Sequence, residues 1–501
     1  MRAKILEIEQ GQNEVVLNAF EAQEKDFFVG DRVLIKYLDK AATAIIDHSA
    51  SFVKPGEAGL FAEVAEKLGC HDGDALEVQA ALRPASLDYI RKKLDGVVLA
   101  DEEIKAIITD LMLQKLSSTE LASFITAVYI KGLSTDETAA LTQSIIDSGD
   151  VIIPPVTPSA SEHSIGGVAG GRSSMIVAPI MASLGICFPK TASRAISSAS
   201  ATADAMEVLA PVALGTKKIM EVLGKANACI VWGGGVNMAA ADDKLIQIRN
   251  PLRLDPQPLL ISSILAKKKA EGAQFVVLDV PVGRGAKVAT IDAARDLARS
   301  FEVYGTKLGL RIMVSVSDGS EPLLQTLGPA LEARAVVDIL SSRGKNGEGT
   351  LLEKACLQAG ILLHMIRGVT REEGYRIAQY QVENGRAWEK MREIICAQGG
   401  NGNVTPQSIE VGQCRETVFS RMDGRIAHVD NHEISRVIRA LGAPKDKLAG
   451  MVIHVKKGQR ISSGEALYEL VAKTPQSLKA GIEAAKNASV VELDRVVLDV
   501  V

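Results

Sequence analysis

Three short apolar runs, each closed by a glycine turn and followed by a helical pattern, constrain this chain most. Cys229-Ile230-Val231-Trp232 enters Gly233-Gly234-Gly235. Residues 275–280 enter Pro281-Val282-Gly283, and residues 311–316 enter Ser317-Asp318-Gly319. A strand apolar on both faces must be covered on both faces, which is the condition of a parallel sheet whose crossovers are helices. Ligands of open α/β sheets gather beyond the carboxyl ends of the strands, where these turns fall.

The most polar part of this region is residues 161–211. It opens with Glu162-His163-Ser164-Ile165-Gly166-Gly167-Val168, passes through an apolar helix-like run at 175–187, and continues with Thr191-Ala192-Ser193-Arg194-Ala195-Ile196-Ser197-Ser198 and Thr202-Ala203-Asp204. Loops of glycine and small hydroxyl residues build no core, but they bring N–H groups and hydroxyls close to an anion. The reading is a phosphate and sugar site. Aromatic residues are only 4% of the chain, too few for a broad base-stacking surface, and a net charge of −4 leaves no footprint for nucleic acid or an anionic membrane. Phosphate affinity must therefore be local. The apolar run at 176–188 is interrupted by Pro179 and Ser183 and is too short to span a bilayer, and residues 1–7 lack a signal-peptide core. Six scattered cysteines without a Cys-x-x-Cys pair support no zinc or redox motif, and no cofactor or metal is expected. The reduced cytoplasm is the expected compartment.

The remainder sorts into a multidomain α/β chain. Residues 1–84 read as a β-rich, small-barrel-like domain with strands at 3–9, 14–18, 32–37 and 43–47. Gly30-Asp31 and Gly73-Asp74 are either a weak internal repeat of two related halves or two unrelated turns. From Pro84 the period turns helical: Asp101 caps one helix, and Ser117 with Glu120 and Ser134 with Glu137 are capping-box signatures of two more. Residues 85–150 plus 241–272 form a helical domain, with Ile152-Ile153-Pro154-Pro155 as a linker. Residues 151–240 plus 273–345 form the α/β phosphate-binding domain. Residues 346–501 form a C-terminal α+β domain with a barrel-sandwich-like tail, given a structural or assembly role because no modifiable hairpin lysine is evident.

In joint order, His163-Ser164-Ile165-Gly166-Gly167-Val168, Pro189-Lys190-Thr191, Ser193-Arg194-Ala195-Ile196, Thr202-Ala203-Asp204, Trp232-Gly233-Gly234, Ala241-Asp242-Asp243, Ser263-Ile264-Leu265-Ala266-Lys267-Lys268 and Gly283-Arg284-Gly285-Ala286-Lys287-Val288 resemble the thymidine/pyrimidine nucleoside phosphorylase family. The likeness covers nearly the whole chain and is closest to the long archaeal AMP phosphorylases. It implies phosphorolysis of an N-glycosidic bond: phosphate attacks C1′ of a nucleoside 5′-monophosphate, and the free base and ribose 1,5-bisphosphate leave. The partners implied are a nucleoside monophosphate and inorganic phosphate, with no nucleic acid polymer and no membrane.

By the same resemblance Ser164, Gly166, Gly167, Ser173 and Thr202 hold the attacking phosphate, and residues Ser193, Arg194, Ala195, Ile196, Ser197 and Ser198 line the nucleotide. Asp255 matches the proton donor to the leaving base. Ser263, Lys267 and Arg249 contact the base side, Lys287 the 5′-phosphate, and His163 belongs to the phosphate motif. Structural readings stand beside these. Asp255-Pro256 has the form of an N-cap before a helix-opening proline. His163 alone would pass as a satisfied buried histidine, Ser263 and Lys267 as a solvated helix face, and Lys287 as a surface residue ahead of a helix capped by Thr290 or Asp292. A plain pyrimidine nucleoside phosphorylase and a non-catalytic nucleotide-binding relative are the alternative functions. Closure of the helical domain and a homodimer or larger homo-oligomer are further implications.

Three departures fall within 161–211. Glu162 stands where the family writes a phosphate-binding lysine, Ala192 where it writes serine, and Ala201 where it writes glycine. A bare carboxylate ~4 Å from a phosphate charge costs roughly 4 kcal/mol at an effective dielectric of about 20, so the orientation of Glu162 decides whether phosphate can bind. Ser200 is a candidate to return a hydroxyl.

Overall fold

In the first 80 residues one device is used twice. Asp31 accepts the Phe28 N–H at 2.9 Å and Asp74 accepts the His71 N–H at 2.8 Å, each beside a glycine at positive φ. Each turn feeds a strand, Arg32–Tyr37 and Glu77–Ala80, and these two pair antiparallel. Upstream, the strands Glu14–Asn18 and Glu57–Leu60 each run into a short helix and also pair antiparallel with one another. The six strands share one sheet, and Arg2 bridges Ala75 beyond its edge. The strand expected over 3–9 ends at Ile5, where the Ile5 N–H turns to the Asp72 carboxylate.

The structure is a computed structural model that describes residues 1–196, 198–346 and 349–494. It divides into two units, Met1–Gly149 with Ala239–Ser263, and Asp150–Met238 with Ile264–Val501.

In the first unit the sheet is followed by helices Ser86–Leu94, Asp101–Met112, Ser118–Lys131 and Thr135–Asp147. Ser117 with Glu120 and Ser134 with Glu137 form reciprocal capping boxes, and Gly132 stops the third helix. Asp101 is not a cap. Ala100 holds that position and gives its N–H to Glu103 at 2.8 Å, so Asp101 is the first helical residue, where its charge suits the helix dipole.

In the second unit the strands Arg311–Asp318, Phe275–Val282 and Ala160–Ser164 lie parallel in that order. A second parallel pair, Phe188–Ala192 with Ala228–Trp232, joins through a bridge between Ser159 and Cys187. Helix Ser174–Ser183, buried over nine of its ten residues, lies behind this sheet among Met391, Ile394, Leu362 and Leu363. Helices Gly349–Arg367 and Arg371–Glu383 approach so closely at Gly360 and Gly374 that a Cβ on Gly360 would lie 2.7 Å from the Tyr375 nitrogen. The tail forms a three-stranded sheet and three strands of a four-stranded one, whose fourth is Thr326–Leu327, with helices Asn431–Ala440 and Pro475–Lys486. Among the described residues no helix is long and apolar enough to cross a membrane.

Candidate active site

The strand Ala160–Ser164 delivers Glu162, His163 and Ser164 to the carboxyl end of the parallel sheet. The chain then turns through Gly166 at φ +87° and Gly167 at φ +95°, a region side chains rarely adopt. A Cβ on Gly167 would lie 3.1 Å from the Lys287 nitrogen, so glycine there lets two loops meet. Burial, with Lys268, Lys190, Lys267 and Lys287 around it, holds the His163 imidazole well below the usual histidine range. Two of these lysines are balanced by buried carboxylates, Lys190 by Glu162 and Lys268 by Glu271.

Glu162 is 1% exposed. Its carboxylate accepts from Ser174, lies 3.4 Å from the Ser173 hydroxyl, and stands 3.6 Å from the Lys190 ammonium. Lys190 also donates to the Glu162 carbonyl at 2.5 Å. The reversed charge is therefore folded into the protein and compensated, and the bare repulsion of roughly 4 kcal/mol does not apply in full. Ser173 stays beside this loop, its hydroxyl turned to Glu162.

Behind the strand, buried Lys268 donates to Ser161 at 3.0 Å and to Glu271 at 2.6 Å, and Glu271 accepts from Thr191. Burial pushes the Lys268 ammonium down to about 8 despite its glutamate partner.

Residues 193–196 and 198–202 are held by Asp204 and Trp232, which the quoted motifs contain, and by partners far off in the chain. Asp204 accepts the Ala195 N–H at 2.8 Å and the Ala201 N–H at 3.1 Å, and Lys447 pairs with Asp204 at 2.9 Å. Arg439 donates to the carbonyls of Ile196 and Ser198. Arg194 stacks on Trp232 at 4.7 Å and pairs with Glu207. Ser198 turns its hydroxyl to the Ser200 carbonyl, and Ser193 lies one residue past the strand Phe188–Ala192. Ser197 lies outside the described residues. Ala201 is extended at φ −131°, so its Cβ brings no backbone strain. Ser200 does not return a hydroxyl to the loop: it donates to Glu332 at 2.6 Å, sharing that buried carboxylate with Arg172. Arg172 also reaches Thr202 at 3.4 Å, which keeps Thr202 beside the helix that carries Ser173.

Asp279 was not singled out in the sequence, although a charged residue inside an apolar strand is a visible signal. It sits opposite Ser164 and accepts from Ser164 at 2.9 Å and from Ser317 at 2.7 Å; Lys354 completes the set at 2.7 Å. Lys287 is exposed on the loop ahead of helix Ile291–Lys307, which Thr290, not Asp292, caps.

In the first unit Arg249, the last residue of helix Ala240–Arg249, pairs with Asp255 at 2.7 Å. Asp255 lies two residues ahead of helix Gln257–Ala270, and its side chain remains 49% exposed. Ser263 donates to Asp242 at 2.7 Å. The same helix continues past the division of the two units, so Lys267 belongs to the second unit while Ser263 belongs to the first.

Comparison with known proteins follows this division of the chain. Residues 87–149 match the helical bundle domain of a glycosyl transferase family, and residues 158–388 its a/b domain. Residues 425–492 match a pyrimidine nucleoside phosphorylase C-terminal domain. The chain is 39% identical to AMP phosphorylase of Thermococcus kodakarensis, over 99% of both chains. It is 41% identical to AMP phosphorylase of Thermofilum pendens, over 96% of this chain and 92% of that one. Among solved structures, anthranilate phosphoribosyltransferase from Thermus thermophilus superposes with a TM-score of 0.52 at 18% identity, over 62% of this chain and 99% of that one. That likeness is one of fold.

Proposed function

This chain belongs to the AMP phosphorylase branch of the pyrimidine nucleoside phosphorylase family, and from that premise we propose that it cleaves AMP with inorganic phosphate to adenine and ribose 1,5-bisphosphate. The observation that carries the geometric side is the turn through Gly166 and Gly167, which brings Ser164 at the carboxyl end of the parallel sheet up to the loop of Lys287. A phosphate that attacks a substrate with a phosphate of its own calls for backbone N–H groups and a cation at such a place.

In this reading Ser164, Gly166, Gly167, Ser173 and Thr202 hold the attacking phosphate, and Lys287 takes the 5′-phosphate. Segment 193–198 lines the nucleotide. As the phosphate oxygen bonds to C1′ and the C1′–N bond breaks, the protonated Asp255 carboxyl gives the leaving base its proton, the carboxylate left behind pairs with Arg249, and Asp255 takes a proton from water before the next turnover. Ser263 and Lys267 contact the base. Asp204, Lys447, Arg439 and Arg172 act by holding the loops, so the site is built before substrate arrives. We further read the N-terminal sheet as a small barrel, the tail as a barrel-sandwich, and the chain as a cytoplasmic homodimer or larger homo-oligomer. Exposed Val97, Val98, Tyr129 and Ile130 supply apolar surface for such an assembly.

The test is base release from AMP, CMP, UMP and thymidine by the purified chain, each with and without phosphate. Phosphate-dependent adenine release with ribose 1,5-bisphosphate is the expected result. No phosphate-dependent release from any substrate overturns the proposal, and thymidine turned over as well as AMP moves the chain to the nucleoside phosphorylases.

A further inference from the structure

One serine assigned to the attacking phosphate, Ser164, has its hydroxyl proton committed to a buried carboxylate, and a second, Ser173, only approaches one. The Ser164 set is the clearer. Lys354 has only donors, and it gives one proton to Asp279 at 2.7 Å and another to the Ser317 oxygen at 2.9 Å. With its oxygen serving Lys354, Ser317 gives its own proton to Asp279 at 2.7 Å. Asp279 is 0% exposed and, as a carboxylate, only accepts. Ser164 therefore donates to it at 2.9 Å. Each hydroxyl proton in the set has one place to go, and the ammonium balances the carboxylate inside the protein. Ser173 repeats the arrangement more loosely, 3.4 Å from Glu162.

What Ser164 has left is lone pairs. The Gly166 N–H approaches them only at 3.4 Å, a weak contact. A ligand meeting this hydroxyl must bring a proton. We propose that the Ser164–Asp279–Lys354 chain makes the attacking-anion subsite a proton acceptor that selects oxyanions carrying a proton, phosphate and arsenate, over sulfate, which carries none at neutral pH. The inference rests on the reading of Ser164 as part of the nucleophile subsite, and it makes Asp279 and Lys354 positioning residues.

The same chain provides for the proton of the nucleophile. As a phosphate oxygen gives its electron pair to C1′, the C1′–N pair leaves with the base. The remaining phosphate hydroxyl becomes a stronger acid and passes its proton to the Ser164 oxygen. Ser164 passes its own proton to Asp279. One proton leaves phosphate, one arrives on the carboxylate, Ser164 ends unchanged, and the proton on Asp279 returns to water before the next turnover.

The experiment is calorimetric titration of the full chain with phosphate, arsenate and sulfate, on the wild type, Ser164→Ala and Asp279→Asn. In the wild type, phosphate and arsenate are expected to bind within about threefold of each other and sulfate roughly tenfold or more weaker, because sulfate leaves the acceptor unpaired. Ser164→Ala, which removes a single oxygen, should bring sulfate to within about threefold of phosphate. Asp279→Asn can donate to Ser164 and free its proton, so sulfate should gain and phosphate lose. If Asp279→Asn fails to fold around the stranded Lys354, Ser164→Ala alone decides. Sulfate binding as tightly as phosphate in the wild type, or a preference unchanged in Ser164→Ala, overturns the inference. Anion preference without base release would leave it standing and sink the proposed activity; base release without the preference would do the reverse.

Discussion

Each unit of the molecule buries lysine–glutamate pairs, and Lys93–Glu137 of the first differs in build from Lys190–Glu162 of the second. In the first unit Lys93 and Glu137 meet at 2.7 Å with side chains 4% and 1% exposed. Glu137 also accepts the N–H groups of Leu99 at 2.9 Å and Ser134 at 2.7 Å, and the latter closes a capping box. In the second unit Lys190 and Glu162 are as deeply buried but stand 3.6 Å apart. There the lysine leans on a backbone carbonyl and the carboxylate takes serine hydroxyls, next to His163 and Ser164. Burying an ion pair gains little net stability, because desolvation offsets the attraction. The tight pair uses every contact to join helix to loop. The loose one leaves charge at the end of a strand where anions are proposed to bind. On the proposed reading, the same two residue types are structural in one place and tune a site in the other.

Breaking each pair separates these roles. Glu137→Gln strands Lys93 in the core and should cost about 3–5 kcal/mol in urea denaturation, with phosphate KM unchanged; an altered KM would erase the distinction. Glu162→Gln should cost less, about 1–3 kcal/mol, because Lys190 keeps its carbonyl partner. It should also lower phosphate KM roughly tenfold, since part of the ~4 kcal/mol contact repulsion is removed. A KM that stays put would make this pair structural as well. Lys287→Ala should raise the KM for AMP about tenfold, as expected for a lost hydrogen bond to a charged group, and leave that for thymidine unchanged in steady-state assays. An equal effect on both would remove Lys287 from the 5′-phosphate.

The smallest effect is on pH. Burial pushes the Glu137 carboxyl up, but the Lys93 hydrogen bond and the Ser134 and Leu99 N–H groups outweigh it, so it lies below the usual glutamate range. A group depressed in the folded state contributes stability above its unfolded value, about 4.3, and loses it as pH falls through the folded one. Acid titration of stability followed by circular dichroism should show this loss, and Glu137→Gln should flatten it.

Much of the local structure was readable from the chain. Ser117 with Glu120, Ser134 with Glu137, and Thr290 are caps because the groups that bond lie within three residues of one another. Asp101 was misplaced by one position because Glu103, not Asp101, meets the cap backbone. The strands at 14–18 and 32–37 formed at the expected bounds; the second alternates in burial over most of its length, as a period of two depends only on neighbours, whereas residues 15–18 of the first are all buried. The direction of Ser200 could not be read, since its partner Glu332 is 132 residues away.

The sequence by itself determined the capping boxes, several of the strands, the glycine turns at Gly166 and Gly167, and the family, because those depend on short-range conformational preference and on motifs in a row. Only the tertiary structure decided what each polar group bonds to. It turned Glu162 inward to Lys190, gave the Ser164 proton to Asp279, and brought Lys354 and Lys447 to carboxylates far from them in the chain. A buried hydrogen bond or charge pair depends on which groups meet after the chain has packed, and groups separated by a hundred residues carry no local mark of one another.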